Sequence, residues 1–541
     1  MSKQLLLAIS LALLICATSV LGQNSAPANF NGQSWWDYVK VLASDDLEGR
    51  ETGSLGLQKA SAYVVEQLKK SGLEAAGTQG GFYQPVEFIS RQIDESGSSL
   101  ALVSGGKPEP LVLGEDAMFS TRANLAPSVN AQLVFVGYGL KVPEKNYDDF
   151  AGLDVKGKVV VFLSGSPADM PTALASHYQS TGERARLLRE MGVLGFISIP
   201  NPASMDVPWS RMTLARARPS ITLADPTLDD TRDVKLAVTF NPVDAEKLFE
   251  GSGHTFAEIA ALGKDRGPLP HFPLALGIQA KAKVITKNVE SSNIVAKLLG
   301  SDTKLKNEYV VLSAHLDHLG IGEPINGDRI YNGAMDNASG SAMLLDLAAA
   351  MHASSAKPKR SILFLFLTAE EKGLLGSKYF AAHPTLPKSS IIADLNTDMF
   401  LPIIPLKVLT VQGLSESDLG DDAREVATQL GVEVQPDPEP LRNAFVRSDQ
   451  YSFIRQGIPS LSMSVGATKG SPEAAKQKQW LTERYHAPSD DINQPVDLAA
   501  AGRYEDVMAA LAMKVADAAQ VPQWKGDSFF RRFLPQASGS H

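Results

Sequence analysis

Cysteine is almost absent from this sequence, since Cys16 is the only one in 541 residues. Disulfide frameworks, zinc sites built from several thiolates and thiol catalysis are therefore excluded for the chain beyond that residue. Long apolar runs are lacking too: the longest, residues 5–16, holds about 12 residues against the roughly 20 that span a membrane. The net charge of -9 gives no basic footprint for nucleic acid.

The first 22 residues have the order of a secretory signal. Lys3 precedes the apolar run 5–16, and small and polar residues follow it up to Gly22. We therefore predict cleavage after Gly22 and export to the periplasm or the extracellular space. An uncleaved membrane anchor is the alternative, although the run is short for a span. Cleavage would remove the only cysteine and leave a mature form without a membrane segment.

The remaining chain is long enough for several domains. With 44% hydrophobic and 21% charged residues it has an ordinary globular composition, and its length suggests two to four domains. Its texture predicts a first helical segment over 23–85, a β-rich insertion over 86–285 containing one clear helix, and an α/β region over 286–520. The apolar tail 521–541 has no evident role.

The α/β region predicts a sheet buried on both faces. Its apolar runs are too continuous for half-exposed strands, and helical patterns such as Ser341 to Met351 separate them. This indicates a three-layer α/β/α fold with a mostly parallel mixed sheet, interrupted by the β-rich insertion. The runs are Tyr309 to Ser313, Ser361 to Leu367, Ile391 to Leu395 and Pro459 to Val465.

Segments that contain histidine, aspartate or glutamate follow these strands. Ligands bind outside the carboxyl ends of strands in such sheets, so the polar groups should converge at one rim. From strand alternation, His315 and Asp317 should share a face that His318 does not share. The segments are His315-Leu-Asp317, Met335-Asp336-Asn337-Ala-Ser-Gly340, Thr368-Ala-Glu370-Glu371, Asn396-Thr-Asp398-Met399 and Tyr485-His486-Ala-Pro-Ser-Asp490.

Several carboxylates buried at one rim require compensating cations. Imidazoles with carboxylates form the nitrogen and oxygen ligand set that suits zinc, and a shared carboxylate allows two metal ions to lie close together. One carboxylate must remain unligated to act as a base. The adjacent Glu370 and Glu371 can supply both roles, because neighbours on an extended segment diverge.

In these five segments, which occur in the family's order, the chain resembles the secreted two-zinc aminopeptidases. They belong to the superfamily of glutamate carboxypeptidase II and the transferrin receptor. The resemblance covers about Ser292 to Ala519, and the segment Leu42 to Arg50 is similar to the family's opening. The β-rich insertion resembles a protease-associated domain, chiefly over Leu187 to Ile199.

The resemblance implies a role for each residue of the rim. One zinc ion would be held by His315 and Asp398 and the other by Glu371 and His486, with Asp336 bridging the two. Further roles are general base for Glu370, oxyanion donor for Tyr485 and, for Asp317, a partner that orients the ring of His315.

The implied activity is a zinc exopeptidase acting on peptides, with an aminopeptidase favoured. A carboxypeptidase or dipeptidase with the same metals is an alternative, for which Arg442, Arg447 and Arg455 are candidate carboxylate-binding residues. Glutaminyl cyclase and a non-catalytic receptor-like protein are disfavoured because no ligand is missing. Gln450 stands where many relatives place histidine, at a position expected on the specificity side. The oligomeric state and the preferred N-terminal residue are not predicted.

Overall fold

A computed structural model describes residues 29–205, 207–439 and 444–535. The predicted signal segment 1–22 and Arg442 lie outside the described residues. Across the described ranges, no helix combines the length and the apolar character that a membrane crossing requires.

A ten-stranded mixed sheet forms the centre of the fold. Its four middle strands run parallel, whereas the pairs toward Ser220–Leu223 are antiparallel. The prediction of an α/β fold with a mixed sheet is therefore confirmed, but the sheet is not mostly parallel, since five of its nine described strand pairs are antiparallel. Parallel pairing is concentrated where the polar segments lie. From one edge, the strands are Ser220–Leu223, Tyr83–Ile93, Val284–Leu298, Ser361–Leu367, Tyr309–His315, Ile391–Asn396, Ser460–Gly466, Val408–Gln412 and Glu433–Gln435, with Glu74–Ala75 beside Val284–Leu298.

Alternate residues of the middle strands enter different apolar clusters, as expected for strands buried on both faces. In Tyr309–His315, Val310 and Leu312 pack with the first helices of the chain, whereas Val311 packs on the opposite face with Phe380. The sheet is thus the middle of three layers. The helices are Gln33–Leu42, Leu55–Lys70, Thr172–Gln179, Thr181–Glu190, Trp209–Met212, Glu246–Phe249, Phe256–Lys264, Ser339–Ala353, Leu375–Ala382, Asp418–Gln429, Gln450–Ile454, Pro472–Glu483 and Leu498–Asp517.

An eight-stranded sheet lies within the predicted insertion. The chain enters and leaves it through Tyr83–Ile93 and Val284–Leu298, which pair along their length in the large sheet. The region holds further helices, such as Phe256–Lys264, beyond the one helix that the sequence predicted. In order, its strands are Lys107–Leu111, Ser99–Ser104, His271–Lys281, Ser128–Val136, Val159–Leu163, Gly195–Ile199, Leu236–Phe240 and Ala117–Phe119.

The described part of the C-terminal tail packs between the segment that follows residue 444 and a helix of the predicted insertion. Phe530 is fully buried, with its ring 5.2 Å from that of Phe445. Trp524 donates its indole N–H to the carbonyl of Gly457 at 2.9 Å. On the insertion side, the ring of Phe529 lies 4.8 Å from that of His177. The apolar residues of the tail therefore join the insertion to the peptide segment that follows residue 444.

Phe530→Ala should destabilise the protein by about 3–5 kcal/mol, because it removes a buried ring and leaves a cavity. The matched control is Leu534→Ala, since Leu534 is 37% exposed and surface changes cost roughly 0.5 kcal/mol or less. Urea denaturation followed by tryptophan fluorescence measures both. Equal midpoints for the two variants would contradict the assigned role of the tail.

Candidate metal centre

His315 and Asp398 meet at the carboxyl ends of two neighbouring parallel strands. His315 is the last residue of Tyr309–His315, and Asp398 follows Ile391–Asn396. The Nε2 atom of His315 lies 3.3 Å from Oδ1 of Asp398. Nδ1 of the same ring lies 3.0 Å from the main-chain carbonyl of Asp317. An N–H at Nδ1 donating to that carbonyl leaves the Nε2 lone pair directed at the site.

Asp336 lies between two histidines. Its Oδ1 atom is 3.4 Å from Nε2 of His315, and its Oδ2 atom is 3.2 Å from Nε2 of His486. Gly333 has a φ of 60°, and a Cβ there would lie 2.1 Å from the carbonyl oxygen of Asp336. Glycine is therefore required for the turn that brings this carboxylate to the centre.

Glu371 contacts two imidazoles, one of which the sequence interpretation had excluded. Its Oε2 atom is 3.3 Å from Nε2 of His486, and its Oε1 atom is 2.7 Å from Nδ1 of His318. The prediction that His318 faces away from the site is wrong, because the strand ends at His315 and its alternation does not extend to residue 318. His318 is fully buried and is a third imidazole of the centre.

A hydrogen bond from the main-chain N–H of Glu370 anchors this residue at the edge of the cluster. Its N–H donates to Oδ1 of Asp317 at 3.1 Å, while Thr52 donates its hydroxyl to Oδ2 of Asp317 at 3.0 Å. Oδ1 of Asp317 is 3.9 Å from Nδ1 of His315, whereas the main-chain carbonyl oxygen of Asp317 is 3.0 Å from the same nitrogen. The carboxylate of Asp317 therefore positions the Glu370 segment. Oε2 of Glu370 lies 4.0 Å from Nε2 of His315.

Arg50 and Asp490 support the loops that carry these groups. The guanidinium of Arg50 is fully buried and donates to the carbonyls of Leu316, Asn332 and Gly333 at 2.8, 2.7 and 2.9 Å. It donates also to the carbonyl of Leu42. Arg50 thus ties the loop after His315 to the loop that carries Asp336.

Asp490 acts from the opposite side of the Asp336 loop. Its carboxylate accepts the main-chain N–H groups of Met335 and Asp336 at 2.9 and 3.0 Å. Gln494 donates to the same carboxylate at 2.6 Å. The last quoted sequence segment therefore supplies both His486 and the anchor of Asp336.

The electrostatics of the cluster favour bound positive charge. Burial alone would lower the pKa of His486, but Glu371 and Asp336 outweigh it and raise that pKa to about 10. Burial likewise opposes the charged form of His315, yet Glu370 and Asp398 raise its pKa well above the usual value. Burial also raises the pKa of Glu370 well above its usual value, against the lowering effect of His315.

The donor set fits metal ions. Within the described residues, His315, Asp336 and Asp398 form one group whose ligand atoms lie within 4.8 Å of one another, and His318, Asp336 and Glu371 form a second. Asp336 belongs to both. Oε1 of Glu371 and both ring nitrogens of His318 are buried without a well-aligned hydrogen bond. Nitrogen and carboxylate donors of this kind suit zinc.

Tyr485 and Arg447 border the cluster on its open side. The Tyr485 ring lies 3.9 Å from that of His486, and its hydroxyl oxygen is 3.5 Å from Nη2 of Arg447. Gln450 does not line the site as expected: it is buried, and its side-chain carbonyl accepts a 2.7 Å hydrogen bond from Asn396. Arg455 is paired with Glu183 at 2.5 Å.

Residues 293–512 match the family model for peptidase family M28. They include every one of the metal-site candidates described above. The segment that carries the candidate metal ligands is thus similar to peptidase family M28.

The M28 segment is also similar to proteins of known name. A probable leucine aminopeptidase 2 of Aspergillus oryzae is 28% identical over 38% of this chain and 41% of its own length. Carboxypeptidase Q of Xenopus laevis is 22% identical over 78% of this chain and 76% of its own. The solved aminopeptidase of Aneurinibacillus sp. strain AM-1 has the same fold beyond the M28 segment, with a TM-score of 0.57 and 19% identity over 91% of this chain and 96% of that one.

Arg50→Lys should destabilise the protein by about 3 kcal/mol or more, because one ammonium cannot reach four separated carbonyls and each buried unsatisfied acceptor costs roughly 1–3 kcal/mol. Arg329→Lys is the control, since Arg329 is exposed and donates to the carbonyl of Gly322 alone. Thermal unfolding by circular dichroism measures both. A similar melting temperature for the two variants would show that the hydrogen bonds of Arg50 do not stabilise the fold to this extent.

Proposed function

We propose that the protein is a zinc-dependent aminopeptidase that removes the N-terminal residue of peptides, with Glu370 as its general base. The observation that carries the proposal is the sharing of Asp336 between two imidazole and carboxylate groups, with Glu370 beside them. The match of residues 293–512 to a peptidase family model supports it. The match covers only 41% of the length of the fungal aminopeptidase. The activity of the whole protein is therefore proposed from its own site and not taken over from that relative.

Two zinc ions account for the ligand arrangement. His315 and Asp398 would hold one ion and Glu371 and His486 the other, with Asp336 shared by both. His318 then positions Glu371 through its 2.7 Å contact with Oε1. When bound, zinc polarises the scissile carbonyl and lowers the pKa of a water molecule.

The protein's own groups complete the chemistry. Glu370 accepts a proton from the attacking water and passes it to the leaving amine. Its main-chain hydrogen bond to Asp317 anchors the segment that carries this carboxylate, whose Oε2 atom lies 4.0 Å from Nε2 of His315. In this proposal the hydroxyl of Tyr485, next to His486, donates to the oxyanion of the tetrahedral intermediate.

The β-rich region 86–285 and the first 22 residues belong to the same proposal. We assign the former as an inserted protease-associated domain and the latter as a signal that directs export to the periplasm or extracellular space. N-terminal sequencing of the secreted protein tests the cut after Gly22.

A carboxypeptidase or dipeptidase is the second candidate. The specific observation in its favour is the presence of Arg122 and Arg447 in the cavity that contains Glu370 and His486. The similarity to carboxypeptidase Q also supports it.

Blocking one end of the substrate at a time should distinguish these activities. An aminopeptidase should cleave amino-acid anilides and carboxyl-blocked peptides but not amino-blocked peptides, because it needs the free N-terminus. Product analysis by liquid chromatography measures all three classes. Cleavage of amino-blocked peptides alone would establish a carboxypeptidase, and a requirement for both free ends would establish a dipeptidase.

Glu370→Gln should retain about two zinc ions per chain, as in the wild type, and lose roughly 10²–10⁴-fold in kcat, the range for a missing general base. The isosteric amide cannot accept the proton but leaves the ligands in place. Plasma emission spectrometry gives the metal content, and anilide hydrolysis gives the rate. Glu323→Gln, at an exposed position, is the matched control. Near-normal turnover in Glu370→Gln would rule out this base, and one zinc ion or none would rule out the paired centre.

A further inference from the structure

A cavity of about 610 Å³ extends from the candidate metal centre to side chains of the insertion. Glu370, Glu371 and His486 line one end. The insertion contributes Arg122 and the segment Thr227 to Thr231 to the walls. A substrate at the metal centre is therefore in contact with the insertion as well as with the M28 segment.

Arg122 is held in this cavity from two sides. Its main-chain carbonyl accepts the hydroxyl of Thr231 at 2.9 Å. Its guanidinium donates through Nη2 to the main-chain carbonyl of Glu371 at 3.2 Å. The side chain is nevertheless exposed to solvent, in contrast to the buried Arg50. The result is a preorganised cation next to the proposed base and ligand.

Three other cations of the cavity are paired with carboxylates, whereas Arg447 donates to the hydroxyl oxygen of Tyr485 at 3.5 Å. Lys372 pairs with Glu51 at 2.9 Å, and Lys378 pairs with Asp230 at 2.6 Å. Arg455 pairs with Glu183. In contrast, Arg122 has no ion pair within 4.0 Å to any carboxylate of the described residues, and the Glu371 carbonyl is its one hydrogen-bond acceptor there. Most of its five N–H groups are left for an incoming group.

We propose that Arg122 binds the C-terminal carboxylate of short peptide substrates and so makes di- and tripeptides the preferred substrate class. The proposal rests on the proposed function, because it places the scissile bond at the metal centre. The planar guanidinium matches a carboxylate in a two-point hydrogen-bonded pair. Only a peptide that ends within a residue or two of the scissile bond brings its carboxylate close to Glu371.

Paired substrates test this assignment. The peptides Leu-Gly and Leu-Gly-Gly, each as the free acid and as the C-terminal amide, differ only in the charge that Arg122 would contact. In the wild type, kcat/KM should be about tenfold or more higher for the acid of the preferred length, the size expected of a charge-assisted hydrogen bond. Arg122→Ala should remove that preference, and Arg122→Lys should retain part of it.

Leucine anilide carries no carboxylate and is the internal control, because Arg122→Ala should change its kcat/KM by no more than it changes that of the peptide amides. Arg232→Ala, which replaces another exposed arginine of the insertion, should leave the ratio of acid to amide unchanged. Calorimetric titration of Leu-Gly-Gly and its amide into Glu370→Gln, with and without Arg122→Ala, gives the same comparison as dissociation constants.

The outcomes separate this assignment from the activity itself. A ratio of acid to amide that is near one in the wild type, or that survives Arg122→Ala, overturns the role of Arg122 while anilide hydrolysis upholds the aminopeptidase. Absence of hydrolysis of the anilide and of all four peptides overturns the proposed function, and this assignment with it.

Discussion

The mutual repulsion of buried carboxylates is the constraint on which the rest of the structure depends. Asp336, Glu370, Glu371 and Asp398 converge where the central parallel strands end, together with the fully buried Asp317. Such a cluster is unstable unless cations and hydrogen-bond donors compensate it. Three imidazoles supply part of that compensation, and bound metal ions would supply the remainder. Arg50 and Asp490 hold the loop that carries Asp336 in place against this repulsion.

The support is made largely from main-chain contacts. Arg50 contacts carbonyl oxygens, Asp490 contacts N–H groups, and Asp317 accepts the N–H of Glu370. Main-chain partners define where a loop lies regardless of which side chains it carries. These contacts thereby specify where the segments that carry Asp336 and Glu370 lie, and fixed positions of this kind are a feature of preorganised sites.

Much of the fold and the candidate centre could be predicted from sequence, and the reasons are local. Continuous apolar runs such as Ser361 to Leu367 indicate strands covered on both faces, and parallel strands bring their carboxyl ends together. His318 was misjudged because strand alternation was applied past the end of the strand. Gln450 was misplaced because it belongs to a short helix that turns its side chain toward Asn396. Arg122 has no signal at all, since only the three-dimensional closeness of the insertion brings it to Glu371.

The packing of the C-terminal tail has a consequence for the order of assembly. Each sheet has its strands complete well before the chain ends, the large sheet at residue 466 and the smaller at residue 281. The rings of Trp524, Phe529 and Phe530 are synthesised after both sheets. The two walls of the cavity are therefore made before the residues that join them. A chain truncated before Trp524 would keep every proposed zinc ligand. It would lack the aromatic segment that packs the insertion against the region after residue 444.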